Sequence, residues 1–137
     1  MANVSLDVRC RPTVEITIIG PRGETTLTAV IDTGFDGFLS VPSRELNLIG
    51  LPDPAAPKVT TKFSLADNSS VIAELCQITA RLDGEEEFGL CVIAPQDGEA
   101  LLGVMALMNF KKRLTLDIIN DEVSLVPTAY DRGGNPG

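Results

Sequence analysis

A chain of 137 residues has room for one domain with a single modest core, and an apolar content of 44% is ordinary for a soluble globular protein. Nineteen acidic against eleven basic residues leave a net charge of −8, which argues against nucleic acid or an anionic membrane as partner, since both need a basic footprint. Histidine is absent altogether, so Ser-His-Asp and Cys-His hydrolases and most zinc sites are excluded, and hydrolysis would have to run on carboxylates, Lys or Tyr.

The first residues, Met1 to Asp7, carry neither the basic cluster nor the apolar run of a signal peptide. No apolar stretch reaches membrane-spanning length. Cys10, Cys76 and Cys91 are an odd number without metal-ligand spacing, which fits buried thiols in a reducing cytoplasm. A nucleophilic cysteine is the competing reading, and it would lack an imidazole base. No cofactor and no metal are expected.

Aromatics are few (no Trp, one Tyr, five Phe), so Val, Ile and Leu must fill the core, a bias toward sheet. Val14 to Ile18 alternates apolar and polar residues as a half-buried strand does. A turn at Gly20-Pro21-Arg22-Gly23 leads into a second strand, Thr25 to Ile31, making a hairpin. Phe38 to Val41 reads as a short strand, and Ser43 as the cap of a short helix from Arg44 to Ile49 that Gly50 stops. Pro52, Pro54 and Pro57 mark an extended surface loop. Val59 to Leu65 and Val71 to Ile78 read as two long strands around a polar, projecting tip, Ala66 to Ser70.

Thr79 to Leu82 and Glu87 to Ile93 form another predicted hairpin, across Asp83-Gly84. Glu85-Glu86-Glu87 beside it reads as a solvated face, with a calcium site as the alternative. Leu101-Leu102-Gly103 leads into a helical stretch, Val104 to Asn109, in which Met105 and Met108 are expected to fill core. Leu114 to Ile118 and Val123 to Val126 make a last hairpin across Asn120-Asp121. The turn-rich tail from Thr128 to Gly137 is expected to be disordered. Many short strands and little helix imply a small all-β barrel.

The most informative segment is Val30-Ile31-Asp32-Thr33-Gly34-Phe35-Asp36-Gly37-Phe38-Leu39. An apolar strand runs into an acid, a hydroxyl and a glycine, then leaves as another apolar strand. An acid at the end of a buried strand is costly unless something satisfies it. An Asp turn, in which the carboxylate bonds its own backbone, explains this without chemistry. Asp-Thr-Gly is short enough to recur by chance, so its context decides its weight.

That context resembles the retropepsin-like aspartic proteases, most closely their prokaryotic single-domain members. Asp32-Thr33-Gly34 after two apolar residues is similar to their active-site turn. Phe38 to Pro42, continuing through Glu45-Leu46 to Leu51, is similar to the segment that follows it. Leu65 to Ser69 resembles the flap tip, where Gly is common at the position of Asn68. Ala100-Leu101-Leu102-Gly103 before a helix resembles their second hydrophobic-hydrophobic-Gly element, and Arg11-Pro12 ahead of Val14 resembles their first strand. The likeness spans roughly residues 11 to 126 in unbroken order.

The resemblance implies an all-β, small closed barrel of the retropepsin type, with a short helix after the second Leu-Gly element. Residues 1–127 would form one domain. It also implies a homodimeric endopeptidase acting on a peptide or protein substrate, with Asp32 and its symmetry mate sharing a proton and activating a water. Thr33 would bond across the two-fold, and Gly34 would let substrate backbone approach. Asp36, Ala66, Asp67 and Asn68 would bind substrate, and the tip would close over it.

Three departures stand out. Retroviral enzymes carry an Arg directly after the second Gly, bracing the acid that corresponds to Asp36. Here that position is Val104, so a partner for Asp36 must come from elsewhere, Arg11 of a second protomer being one source. The tip lacks the viral flap's glycines. The chain also continues past the strand Leu114 to Ile118, so the dimer sheet would be built differently. An exposed loop charge explains Asp36 equally well. A dimeric binding or scaffold protein without turnover, and a small-ligand barrel with an accidental Asp-Thr-Gly, stay open beside the protease.

Overall fold

The computed structural model describes residues 2–64 and 66–128. In chain order the strands are β1 (Val4–Leu6), β2 (Pro12–Gly20), β3 (Gly23–Ile31), β4 (Leu39–Pro42), β5 (Val59–Ser64), β6 (Ser70–Leu82), β7 (Glu85–Ala94), β8 (Ala100–Leu102), β9 (Lys112–Asp117) and β10 (Glu122–Pro127). Two short helices interrupt them, α1 (Ser43–Leu48) after β4 and α2 (Val104–Asn109) after β8.

Six strands close on themselves. The order β2-β3-β8-β4-β7-β6 returns to β2 through the antiparallel register Thr17↔Arg81 to Ile19↔Thr79. Closure removes the open edges that a flat sheet would expose. Inside lie the alternate residues of each strand: Val14, Ile16 and Ile18 from β2, Ile78, Ala80 and Leu82 from β6, Leu39 and Val41 from β4, and Leu102 from β8, all nearly or fully buried. Each such Ile or Leu contributes about 1.5–3 kcal/mol by leaving water. The predicted fold class, all-β with short helices, matches this architecture.

Several local expectations change. Thr79 to Leu82 is no separate strand but the end of β6, whose thirteen residues run unbroken through Ile78. Ser43 does not cap α1. Pro42 occupies the cap position with no side-chain bond, and Ser43 is the first helical residue. Gly50 does stop α1, at φ +84. Its N–H donates to the Asn47 carbonyl and that of Leu51 to Leu46, closing the helix in a Schellman motif.

Met105 and Met108 are not core: they are 45% and 65% exposed on the outer side of α2, while Ala106 between them is buried. A six-residue helix shows the barrel only one narrow face, and that face falls to Ala106, Leu107 and the following Phe110. β1 was not anticipated, because three residues are too few for a pattern. Leu65, expected to end β5, and the tail beyond Thr128 lie outside the described residues.

The Asp83-Gly84 turn between β6 and β7 has both residues at positive φ, 55° and 79°, the geometry of a two-residue hairpin. Asp83 also accepts a 2.8 Å bond from the Lys112 ammonium at the start of β9, whose side chain is 2% exposed. The pair ties the barrel to β9–β10, a two-stranded sheet of its own. Burial raises the Asp83 carboxyl pKa, but hydrogen bonding and nearby positive charge, the Lys112 bond first among them, together outweigh it, and the group stays below its ordinary range. No helix among the described residues is long and apolar enough to cross a membrane.

Candidate active site

β3 delivers Asp32 to the end of its parallel ladder with β8, in which Ile31 lies opposite Leu102. The Asp32 N–H donates to the Leu102 carbonyl at 2.9 Å, so the residue begins where regular pairing ends. The Phe35 N–H then donates to the Asp32 carbonyl at 3.1 Å, closing a four-residue turn. The Gly34 N–H donates to Asp32 Oδ1 at 2.9 Å. The carboxylate is thus aimed by its own turn while the residue stays only half-buried. A Cβ on Gly34 would stand 3.2 Å from that same oxygen, so this glycine keeps the carboxylate's flank open.

A second layer of bonds locks the turn to α2. Gly103 donates to the Phe38 carbonyl, Val104 to Phe35 and Met105 to Gly37, at 2.9, 2.9 and 3.1 Å. β4 leaves antiparallel to β8, Leu39 opposite Leu102, so β8 runs between the strand entering the turn and the strand leaving it. The Phe35 ring lies over Gly37 and Gly103, where a Cβ would come within 2.6 and 2.7 Å of ring carbons. Sequence reasoning missed Phe35, Gly37 and Gly103 as a unit. The available signal was two glycines at the points where the ring needs flat backbone.

No family model and no curated protein matches the chain. Among solved structures, EIAV protease complexed with the inhibitor HBY-793 is similar, with a TM-score of 0.59 and 20% identity, covering 80% of this chain and 97% of that one. This chain has the retropepsin fold. At such identity the likeness concerns fold.

Within the retropepsin fold, the structure brings Asp32, Thr33, Gly34 and Asp36 into one loop, the last three exposed. Ala66, Asp67 and Asn68 sit apart, at the exposed tip of the β5–β6 hairpin. The Ser69 hydroxyl and its N–H both donate to Asp67 Oδ1, which holds that carboxyl below its usual range. Asn68 adopts φ +70, a left-handed conformation that Asn tolerates and that explains how the tip turns without glycine.

Arg11, considered as a partner for a second protomer's Asp36, is engaged in its own chain. Its guanidinium donates to both Glu99 oxygens at 2.7 and 2.9 Å and to Asp7 Oδ2 at 2.8 Å. Asp7 is held below its ordinary range first by the Arg11 backbone N–H, and Glu99 by the Arg11 fork. Cys76 and Cys91 face each other across β6 and β7. Contact with Cys76, and then burial, push the Cys91 thiol up, the reverse of what a nucleophile needs. The three glutamates beside Gly84 are exposed or half-buried, and Glu86 pairs with Arg81 as a solvated face would. No cluster with metal-ligand potential occurs among the described residues.

Proposed function

We propose that this protein is an aspartic endopeptidase working as a homodimer, in which Asp32 of each protomer supplies half of the catalytic pair. The observation that carries this reading is the Asp32 turn: a carboxylate aimed by Gly34, braced by Leu102 and α2, in a chain with the retropepsin fold and a single Asp-Thr-Gly. Two such carboxylates facing across a two-fold axis cannot both ionise freely, so they hold one proton between them. One takes a proton from a water lying between them, and that water attacks the scissile carbonyl carbon. The other donates its proton to the carbonyl oxygen. The tetrahedral species then collapses with protonation of the amide nitrogen and breakage of the C–N bond. Thr33 bonds across the axis, Asp36 and the tip residues Ala66, Asp67 and Asn68 hold substrate backbone, and the setting is cytoplasmic.

The test is cleavage of a proteome-derived peptide mixture by the wild type and by Asp32→Asn, across acidic and neutral pH. Turnover is expected to be greatest in mildly acidic solution and to vanish in the variant, which keeps the side chain's size but can neither share the proton nor act as base. Cleavage by Asp32→Asn, or a rate still rising above neutral pH, would mean different chemistry.

A dimeric binding protein with the same barrel is the second reading. Val104 favours it, because the retroviral arginine at that position has no counterpart here and Arg11 is committed to Asp7 and Glu99. Specific peptide binding without turnover by the wild type would select it.

A further inference from the structure

The β5–β6 hairpin is an arm held at its root. β5 pairs with β6 alone, in a register that runs from Ser64↔Ser70 near the tip to Val59↔Leu75 at the base. At that same base β6 joins β7, Leu75 lying opposite Val92, and the two stay paired down to Leu82↔Glu85. Ser70 to Glu74 therefore have no strand partner but β5 among the described residues. Ladder ends open most readily, so the first pairs of β6 with β7 decide how firmly the arm is seated.

The second of those pairs is Cys76↔Cys91. The two-residue turn at Asp83-Gly84 makes Leu82↔Glu85 its closing hydrogen-bonded pair, and bonded and non-bonded pairs alternate from there. Cys76↔Cys91 falls on a bonded pair, whose Cα atoms stand about 5.5 Å apart, well inside the range a disulfide spans. Both side chains point to the barrel side, in phase with the buried Ile78. They are in contact, and bonding to Cys91 holds the Cys76 thiol below its ordinary range, against burial. Cys91 is fully buried. Cys76 is only half-buried, and with Leu51, Pro52, Pro57 and Val59 it lines a cleft of about 750 Å³ beside the proline loop. A small oxidant has a way in to one sulfur of the pair.

We propose that Cys76 and Cys91 are a reversible disulfide pair, closed by a hydroperoxide, that staples the root of the β5–β6 arm to the barrel. The Cys76 thiolate attacks one oxygen of hydrogen peroxide, the O–O bond breaks, hydroxide leaves, and Cys76 becomes a sulfenic acid. The Cys91 sulfur then attacks the Cys76 sulfur. The S–S bond forms as the S–O bond breaks, and the Cys91 proton leaves with the departing hydroxide as water. Two thiols lose two electrons in all, and one peroxide is reduced to two waters. Disulfides of the cytosol are ordinarily of this transient, sensing kind. The pair stands independently of the protease reading; under that reading the arm holds substrate, so oxidation gains a route to the site.

The experiment uses the full chain carrying Cys10→Asn, because Cys10 is exposed and Asn accepts the φ of 60° at its position. After stoichiometric hydrogen peroxide, peptide mapping without reduction is expected to find Cys76 joined to Cys91 within one chain. Free thiol should fall from two per chain to none, and dithiothreitol should restore both. Closing a loop of about 15 residues should raise the melting temperature by up to about 10 °C. Hydrogen exchange of the arm amides, in residues 59–64 and 70–75, should slow several-fold in the oxidised form.

Cys91→Ala leaves Cys76 without its resolving thiol, and dimedone should then capture a sulfenic acid at Cys76. If that variant fails to fold, the peptide map of the Cys10→Asn chain carries the test. Thiols that stay free, a Cys76 that runs on to sulfinic acid beside an unreacted Cys91, or a disulfide joining two chains would overturn the pair. A Cys76–Cys91 disulfide that leaves exchange of the arm amides unchanged would overturn the staple.

Discussion

Asp83→Asn removes a largely buried charge without changing the turn that carries it. Asn accepts the positive φ of position 83 (55°) and is a favoured residue of Asn-Gly turns, so the β6–β7 hairpin keeps its shape. What is lost is the negative charge facing the Lys112 ammonium at 2.8 Å. Breaking one side of a buried ion pair costs about 3–5 kcal/mol. Here Lys112 is 2% exposed but Asp83 12%, so water reaches the acid's edge and a cost of about 2–3 kcal/mol is expected. With an unfolding entropy of about 2.1 cal/mol/K per residue over 137 residues, the melting temperature falls by about 7–10 °C. The assay is calorimetry or thermal circular dichroism of both proteins from pH 7 to pH 3. Because the folded carboxyl lies below its ordinary value of 3.8, its stabilisation is present above that value and lost as pH falls through the folded one. The gap between wild type and variant should therefore be full at neutral pH and close below about pH 4. A gap that stays constant to pH 3, or no gap at pH 7, would refute the argument.

Two further outcomes follow from the site. Thr33→Ala should leave each chain folded but weaken dimerisation, so that activity falls most in dilute enzyme; a dilution series with sedimentation checks this, and an unchanged dimer constant would remove the cross-axis role of the hydroxyl. Gly103→Ala should destabilise the fold by about 1–3 kcal/mol or more in denaturant titration, because the added Cβ collides with the Gly37 carbonyl and the Phe35 ring rather than with a movable side-chain tip.

Most strands were legible because their patterns are local. β2 alternates plainly, and the Asp83-Gly84 turn is dictated by the residues in it. The turn at Asp32 could be picked out for the same reason, as an acid, a hydroxyl and a glycine ending an apolar run. What closes the barrel was not legible from pattern. Nothing local in Thr17 to Ile19 says that they meet Thr79 to Arg81, and the break expected after Ile78 does not occur. Met105 and Met108 failed for a related reason: an apolar run of helical length does not say which of its residues face inward, and here Ala106 and Phe110 are buried with Leu107 packed beside them.

The same limit governs the site. Read singly, Phe35, Gly37 and Gly103 are an aromatic and two glycines; folded, they are one clasp holding the Asp32 turn to α2. The amides of Asp32, Phe35, Gly103, Val104 and Met105 all donate to backbone carbonyls, that of Gly34 donates to Asp32 Oδ1, and Thr33 stands exposed beside it. Among the exposed apolar residues of the last third, Met105 and Met108 lie on α2, which is bonded to the Asp32 loop, and Leu116, Ile118 and Ile119 on the hairpin that packs against α2. Under the homodimer reading proposed above, burying those residues against a second copy would act through α2 on where Asp32 stands and so couple self-association to the geometry of the site. Turnover should accordingly fall on dilution in proportion to the loss of dimer and return at high concentration, with kcat per dimer unchanged. A variant fully dimeric yet inactive would break that coupling.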